Sequence, residues 1–122
     1  MEQKSITINY KEYSGIDELP INEKNLLQRA IDATKGSYAP YSNFKVGAAV
    51  LLSNSEIIIG ANQENAAYPS GLCAERTALF SARTLYPSAT VKAIAITSVG
   101  EDGKMLKSIT YPCGACRQVM AE

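Results

Sequence analysis

Histidine and tryptophan are both missing from these 122 residues. Without imidazole, Ser-His-Asp and Cys-His nucleophile systems are closed. Without indole, aromatic stacking falls to 7 tyrosines and 2 phenylalanines. Neither charge sign is in surplus, with 12 Lys+Arg against 12 Asp+Glu, so no basic field exists to hold nucleic acid. Apolar runs fall short of the roughly 18–20 residues that span a bilayer, which argues against a membrane partner. The start, Met1-Glu2-Gln3-Lys4-Ser5, lacks the basic-then-apolar order of a secretory leader, so a cytoplasmic chain is expected. Cysteine is scarce as well. Its count of 3 is odd, which does not suit a disulfide framework and favours metal ligation or catalysis.

What remains is ordinary globular usage: 46% hydrophobic and 20% charged residues, at a length that fits one domain. Ile6, Ile8 and Tyr10 alternate with polar residues and predict a strand in an N-terminal extension, residues 1–20. A helix is expected next. Asn22 is its predicted cap, Ile21 and Leu26 form a hydrophobic staple, and Leu26, Leu27, Ala30, Ile31 and Ala33 make the apolar stripe. Gly36 stands where a helix end favours a left-handed residue.

The period then switches. Phe44, Val46, Ala48, Val50 and Leu52 alternate, Ser53-Asn54-Ser55 makes a turn, and Ile57-Ile58-Ile59 follows, so residues 44–61 read as a hairpin. A second helix is expected from about Leu72 to Tyr86, stopped by Pro87. Val91 to Val99 reads as a strand buried on both faces. A strand-like piece ends at Pro112, and Gly114 opens a third helix. This alternation predicts an α/β layer structure whose sheet is mixed.

The chemistry lies in Cys73-Ala74-Glu75 and Pro112-Cys113-Gly114-Ala115-Cys116. Each falls at a predicted helix start, where free N–H groups and the positive end of the helix dipole favour thiolates. A Cys-x-x-Cys pair aims two sulfurs at one ion, and Cys73 supplies a third of four tetrahedral positions. No fourth cysteine or histidine closes the sphere, leaving that position to water or substrate. This is the layout of a catalytic zinc site. Zinc lowers the pKa of a water it holds to about 7, and Glu75 beside it can act as general acid and base. Arg76 and Arg117 are candidates to donate to the sulfurs. Taken singly, Cys-x-x-Cys reads as a redox pair or buried small residues, Cys73 as core and Glu75 as a first-turn acid. Their co-occurrence is far more specific, and a thioredoxin-like pair leaves Cys73 and Glu75 unexplained.

Cys73 to Ala78 (CAERTA) and Pro112 to Gln118 (PCGACRQ) resemble the small cytidine deaminases that hold zinc with three cysteines. Tyr38 to Ala49 and Asn62 to Tyr68 match further motifs of that family, so the likeness runs from about residue 24 to the end. The resemblance implies a three-layer fold, a mixed central sheet with helices on both faces. It also implies a catalytic domain at 21–122, C-terminally truncated and lacking the family's last strands. Cys73, Cys113 and Cys116 would hold one zinc per chain, and Glu75 would move the proton. Phe44 would pack on the pyrimidine, although alone it reads as the first core residue of a strand. Asn62 and Glu64 would bond the ribose 3′-hydroxyl, with Gln63 among the substrate-binding residues, although alone they are ordinary loop polars. The Ala74 N–H would meet the base's O2, and the Tyr111 carbonyl its amino group. Arg76 and Gln118 would support the sulfurs.

The implied activity is hydrolytic deamination of cytidine and deoxycytidine in pyrimidine salvage. A blasticidin-S-type deaminase or a non-catalytic zinc-binding domain are the alternatives. A nucleic-acid editor ranks lower, since that branch generally uses His-x-Glu. Partners are a small nucleoside and, by resemblance, three further copies in a homotetramer. Tyr68 would cross a subunit boundary or, read alone, cap its own loop.

Overall fold

A computed structural model describes residues 1–122. The predicted hairpin forms as β1 (Lys45–Leu52) and β2 (Ile57–Ala61), paired antiparallel with Ala49 opposite Ile59. Its turn places Ser55 at φ 69°, the left-handed region, and Asn43 takes φ 55° just before β1. Chain order continues through α2 (Ala74–Leu85) to β3 (Val91–Val99) and α3 (Gly114–Ala121), with α1 (Ile21–Ala33) preceding the hairpin. The sheet order is β2-β1-β3, so the chain crosses over β1 through α2. Both neighbours of β1 run antiparallel to it. The three strands thus form an antiparallel sheet rather than the mixed one expected: β2 and β3 share a direction but never touch, because β1 lies between them.

Strand alternation sorts the two faces. Val46, Ala48, Val50 and Leu52 meet Ala74, Ala78 and Ala82 of α2. Ala49 turns the other way, onto Leu26 and Ala30 of α1, with Leu51, Ile57 and Ala95 around them. Helices therefore cover both faces, as expected, and α3 lies beside α2. Two glycines set how closely the helices approach. A Cβ at Gly47 would stand 2.0 Å from the Ala30 carbonyl oxygen, and one at Gly60 would stand 2.5 Å from the Ala78 nitrogen. Each helix backbone thus rests directly on the sheet.

Several expectations give way. Ile6, Ile8 and Tyr10 are exposed and form no strand, since alternation supplies a face but not the neighbour a strand's backbone bonds need. Helix α1 begins at Ile21, with Pro20 rather than Asn22 at its cap and Ile21 exposed, so the staple does not form. Its end tightens into a 3₁₀ turn, Thr34–Gly36, in which Ser37 N donates to the Thr34 carbonyl, so Gly36 needs no left-handed conformation. β3 is an edge strand, and only its last three residues, Thr97, Ser98 and Val99, are buried, while its first three are exposed. Residues 105–112 make a single bridge, Met105 to Val99, instead of a strand.

Candidate metal centre and active site

Cys73 caps α2 and Cys113 caps α3, both with extended backbone, while Cys116 lies one turn into α3. The two helix starts bring the sulfurs together. Cys73 Sγ is 3.6 Å from Cys113 Sγ, which is 3.5 Å from Cys116 Sγ, and all three lie within 4.8 Å of one another. All are free thiols. A tetrahedral zinc with bonds near 2.3 Å sets its sulfurs about 3.8 Å apart, so this triangle fits the ion and leaves one position open.

Proton affinity differs around the triangle. The Cys116 N–H donates to Cys113 Sγ at 3.5 Å and, with the other groups around the sulfur, holds that thiol below its ordinary range. Burial, followed by the Cys113 contact, pushes the Cys116 thiol up to about 12. Ligation therefore releases protons. Arg76 Nη2 donates to Cys73 Sγ at 3.4 Å, and its bonds to Cys73 and Cys116 raise its already high proton affinity. Arg117 Nε instead donates to the Pro112 carbonyl at 3.0 Å, and Arg117 makes no bond to a sulfur. Gln118 is exposed, and its side chain makes no bond to a sulfur.

Glu75 is 3% exposed, and its one hydrogen-bond partner is Cys116 Sγ, 3.8 Å from Oε2. A buried carboxylate without a cation is costly, so a structural role explains it poorly. Ala74 is fully buried, and its N–H makes no bond within the chain, as befits the first turn of a helix.

Backbone bonds run both ways between Gln63 and Leu72, the residue before Cys73, and set the 62–64 loop beside α2. Here the ordinary-loop reading fails. Asn62 Oδ1 accepts from Val46 N at 2.9 Å and from Ser37 Oγ, and Asn62 Nδ2 donates to the Phe44 carbonyl at 2.8 Å. Glu64 Oε1 accepts from Tyr41 N at 3.0 Å and Ser42 N at 3.1 Å. Ser42, then Tyr41, hold the Glu64 carboxyl below its ordinary pKa. Gln63 Nε2 donates to the Gly36 carbonyl at 2.8 Å, a bond to the scaffold. All three residues clamp the segment 36–46. That segment carries Phe44, which lies just before β1 and is 43% exposed: a free ring, not a core residue. Tyr68 is 91% exposed with no side-chain hydrogen bond, so it does not cap its own loop.

Sequence reasoning passed over Ser37, Ser98 and Thr110. The Ser98 and Thr110 hydroxyls meet at 2.7 Å and tie the segment leading to Tyr111 and Cys113 onto β3. No local pattern marks such pairs, because their partners lie far along the chain.

The family profile described as the cytidine and deoxycytidylate deaminase zinc-binding region matches residues 20–122. A cytidine deaminase of Halalkalibacterium halodurans is 47% identical over 102 residues, spanning 84% of this chain and 72% of that protein. One from Mycobacterium tuberculosis is 36% identical over 105 residues, 85% of this chain and 74% of that one. The crystal structure of a Burkholderia pseudomallei cytidine deaminase superposes with a TM-score of 0.70 at 43% identity, covering 80% of this chain and 73% of that chain. The chain belongs to the cytidine and deoxycytidylate deaminase family, and its three-cysteine cluster suits the zinc ion of that family.

Proposed function

We propose that this chain deaminates cytidine and deoxycytidine to the corresponding uridines, releasing ammonia. Zinc held by Cys73, Cys113 and Cys116 supplies a Lewis acid that acidifies water. Glu75 takes one proton of the attacking water and places it on N3 of the base, then takes the second from the new C4 hydroxyl and delivers it to the departing amine, which leaves as ammonia. A C4–O bond forms, the C4–N bond breaks, and the carboxylate is regenerated. The Ala74 N–H bonds the base's O2, the Tyr111 carbonyl accepts from the amino group, and the Phe44 ring packs on the pyrimidine. The free oxygen of Glu64 and the second Nδ2 hydrogen of Asn62 serve the ribose 3′-hydroxyl. Arg76 supports the sulfurs.

The observation that carries this reading is Glu75, a buried carboxylate 3.8 Å from a sulfur of the triangle. Glu75→Gln should keep zinc and fold while losing about 10²–10⁴-fold in kcat. A variant that stays active, or that loses zinc in step with activity, contradicts the role.

Residues 21–122 form the catalytic domain in this reading, and residues 1–20 an extension. Pyrimidine salvage is the proposed role and the cytoplasm the proposed location. No helix is long and apolar enough to cross a membrane. A homotetramer is the proposed assembly, with exposed Tyr68 reaching a neighbouring subunit.

A further inference from the structure

We propose that Ser37 is a positioning residue for nucleoside binding, acting through Asn62. The inference rests on the reading of Asn62 as a sugar contact. Val46 N–H can only donate and the Phe44 carbonyl can only accept, so their bonds to Oδ1 and Nδ2 fix which way the Asn62 carboxamide faces. Oδ1 cannot donate, so the Ser37 hydroxyl must be the donor in their contact. With Val46 it fills both lone pairs of Oδ1. Three of the four hydrogen-bonding positions of Asn62 are then held by the protein. The fourth, one Nδ2 hydrogen, is the only one left for a ligand, and its direction is set by the other three.

Ser37 is itself well placed for this. Tyr38 N donates to the Asn62 carbonyl at 3.0 Å, and Glu64 N donates to the Tyr38 carbonyl at 2.7 Å. Ser37 is thus held opposite Asn62 by backbone bonds that do not depend on its hydroxyl. Removing the hydroxyl leaves Oδ1 with Val46 alone, and the terminal torsion of asparagine is soft. The carboxamide keeps its Val46 and Phe44 bonds and its facing but swings more widely about them, so its free N–H is aimed less tightly at the sugar. Binding suffers equally in the ground state and the transition state, so KM rises and kcat does not fall.

The test compares wild type, Ser37→Ala and Ser37→Thr on cytidine and on free cytosine, with zinc content and Tm measured alongside. Ser37 has extended backbone (φ −65°, ψ 133°), which a β-branched threonine adopts readily. Ser37→Ala should raise KM for cytidine about 3–10-fold, the loss of one neutral hydrogen bond, with kcat, zinc and activity on free cytosine unchanged. Ser37→Thr, which keeps the hydroxyl, should return KM to within about 2-fold of wild type. An unchanged KM in the alanine variant overturns the proposal. So does an equal loss on cytidine and free cytosine, or a threonine variant as defective as the alanine one. Wild type that does not turn over cytidine refutes the underlying reading instead, before any variant is compared.

Discussion

Replacing Gly60 with alanine should disturb the metal centre without touching a ligand. A Cβ there would stand 2.5 Å from the Ala78 nitrogen and 2.7 Å from the Ala74 carbonyl oxygen. Both are backbone atoms of α2, about an ångström inside ordinary contact distance, so no side-chain rotation relieves the clash. Either β2 or the first half of α2 must move, and that half begins with Cys73, Ala74 and Glu75. Overpacking of this kind costs about 1–3 kcal/mol, and Tm should drop on the order of 5–15 °C. Because α3 is not pressed by the same residue, the Cys73 sulfur shifts relative to Cys113 and Cys116, and zinc affinity falls with stability. Gly47→Ala is the control. Its clash, 2.0 Å from the Ala30 carbonyl oxygen, is more severe but falls on α1, which carries no sulfur. It should cost more stability, yet the folded fraction should retain zinc. Tm and zinc content after dialysis against a weak chelator read both effects. A Gly60→Ala protein as stable and zinc-replete as wild type would refute the reasoning. So would equal zinc loss in both variants at matched folded fraction.

Two further predictions follow from the site's charge and from the proposed assembly. Glu64 has its pKa lowered, so its contribution to stability is present above the ordinary carboxylate range and is lost as pH falls through the folded value. Glu64→Gln should therefore melt below wild type at pH 7, with the gap closing below about pH 4; with both proteins compared metal-free, a gap that stays constant contradicts the assignment. Sedimentation at micromolar concentration should show a homotetramer, and a clean monomer sinks that part of the proposal.

Legibility in the sequence followed the range of the interaction. The hairpin, α2 and α3 were readable because alternation, Pro87 and Gly114 act over a few residues. The three cysteines and Glu75 were readable because ligand spacing is a local property of a helix start, and the structure closes them into one triangle. Ile6 to Tyr10 has the pattern of a strand, but pairing is decided by distant backbone. Residues 105–112 failed for the same reason. The 62–64 loop shows the limit best: nothing in Asn-Gln-Glu says that Asn62 reaches Ser37, 25 residues away, or that Glu64 reaches Tyr41, 23 residues away. Phe44 misled in the opposite sense, continuing the alternation of β1 while lying outside it.

Helix α3 gives the protein a conditional part. Within Gly114–Ala121, Cys116 is the one buried residue, and it is one of the three cysteines of the metal centre. The sulfur triangle also joins Cys73 to Cys113 across 40 residues, and a cross-link over such a loop removes about 4 kcal/mol of chain entropy. Zinc, when bound, would therefore add to what keeps α3 docked on α2, whereas α1 and β1 are secured by apolar burial. When metal is scarce, α3 should open locally while the rest of the molecule keeps its fold. Loss of function would then precede loss of structure, and recovery would require only that one helix dock again rather than that the chain refold. The fold thus separates a scaffold that is always present from a catalytic state that follows the zinc supply.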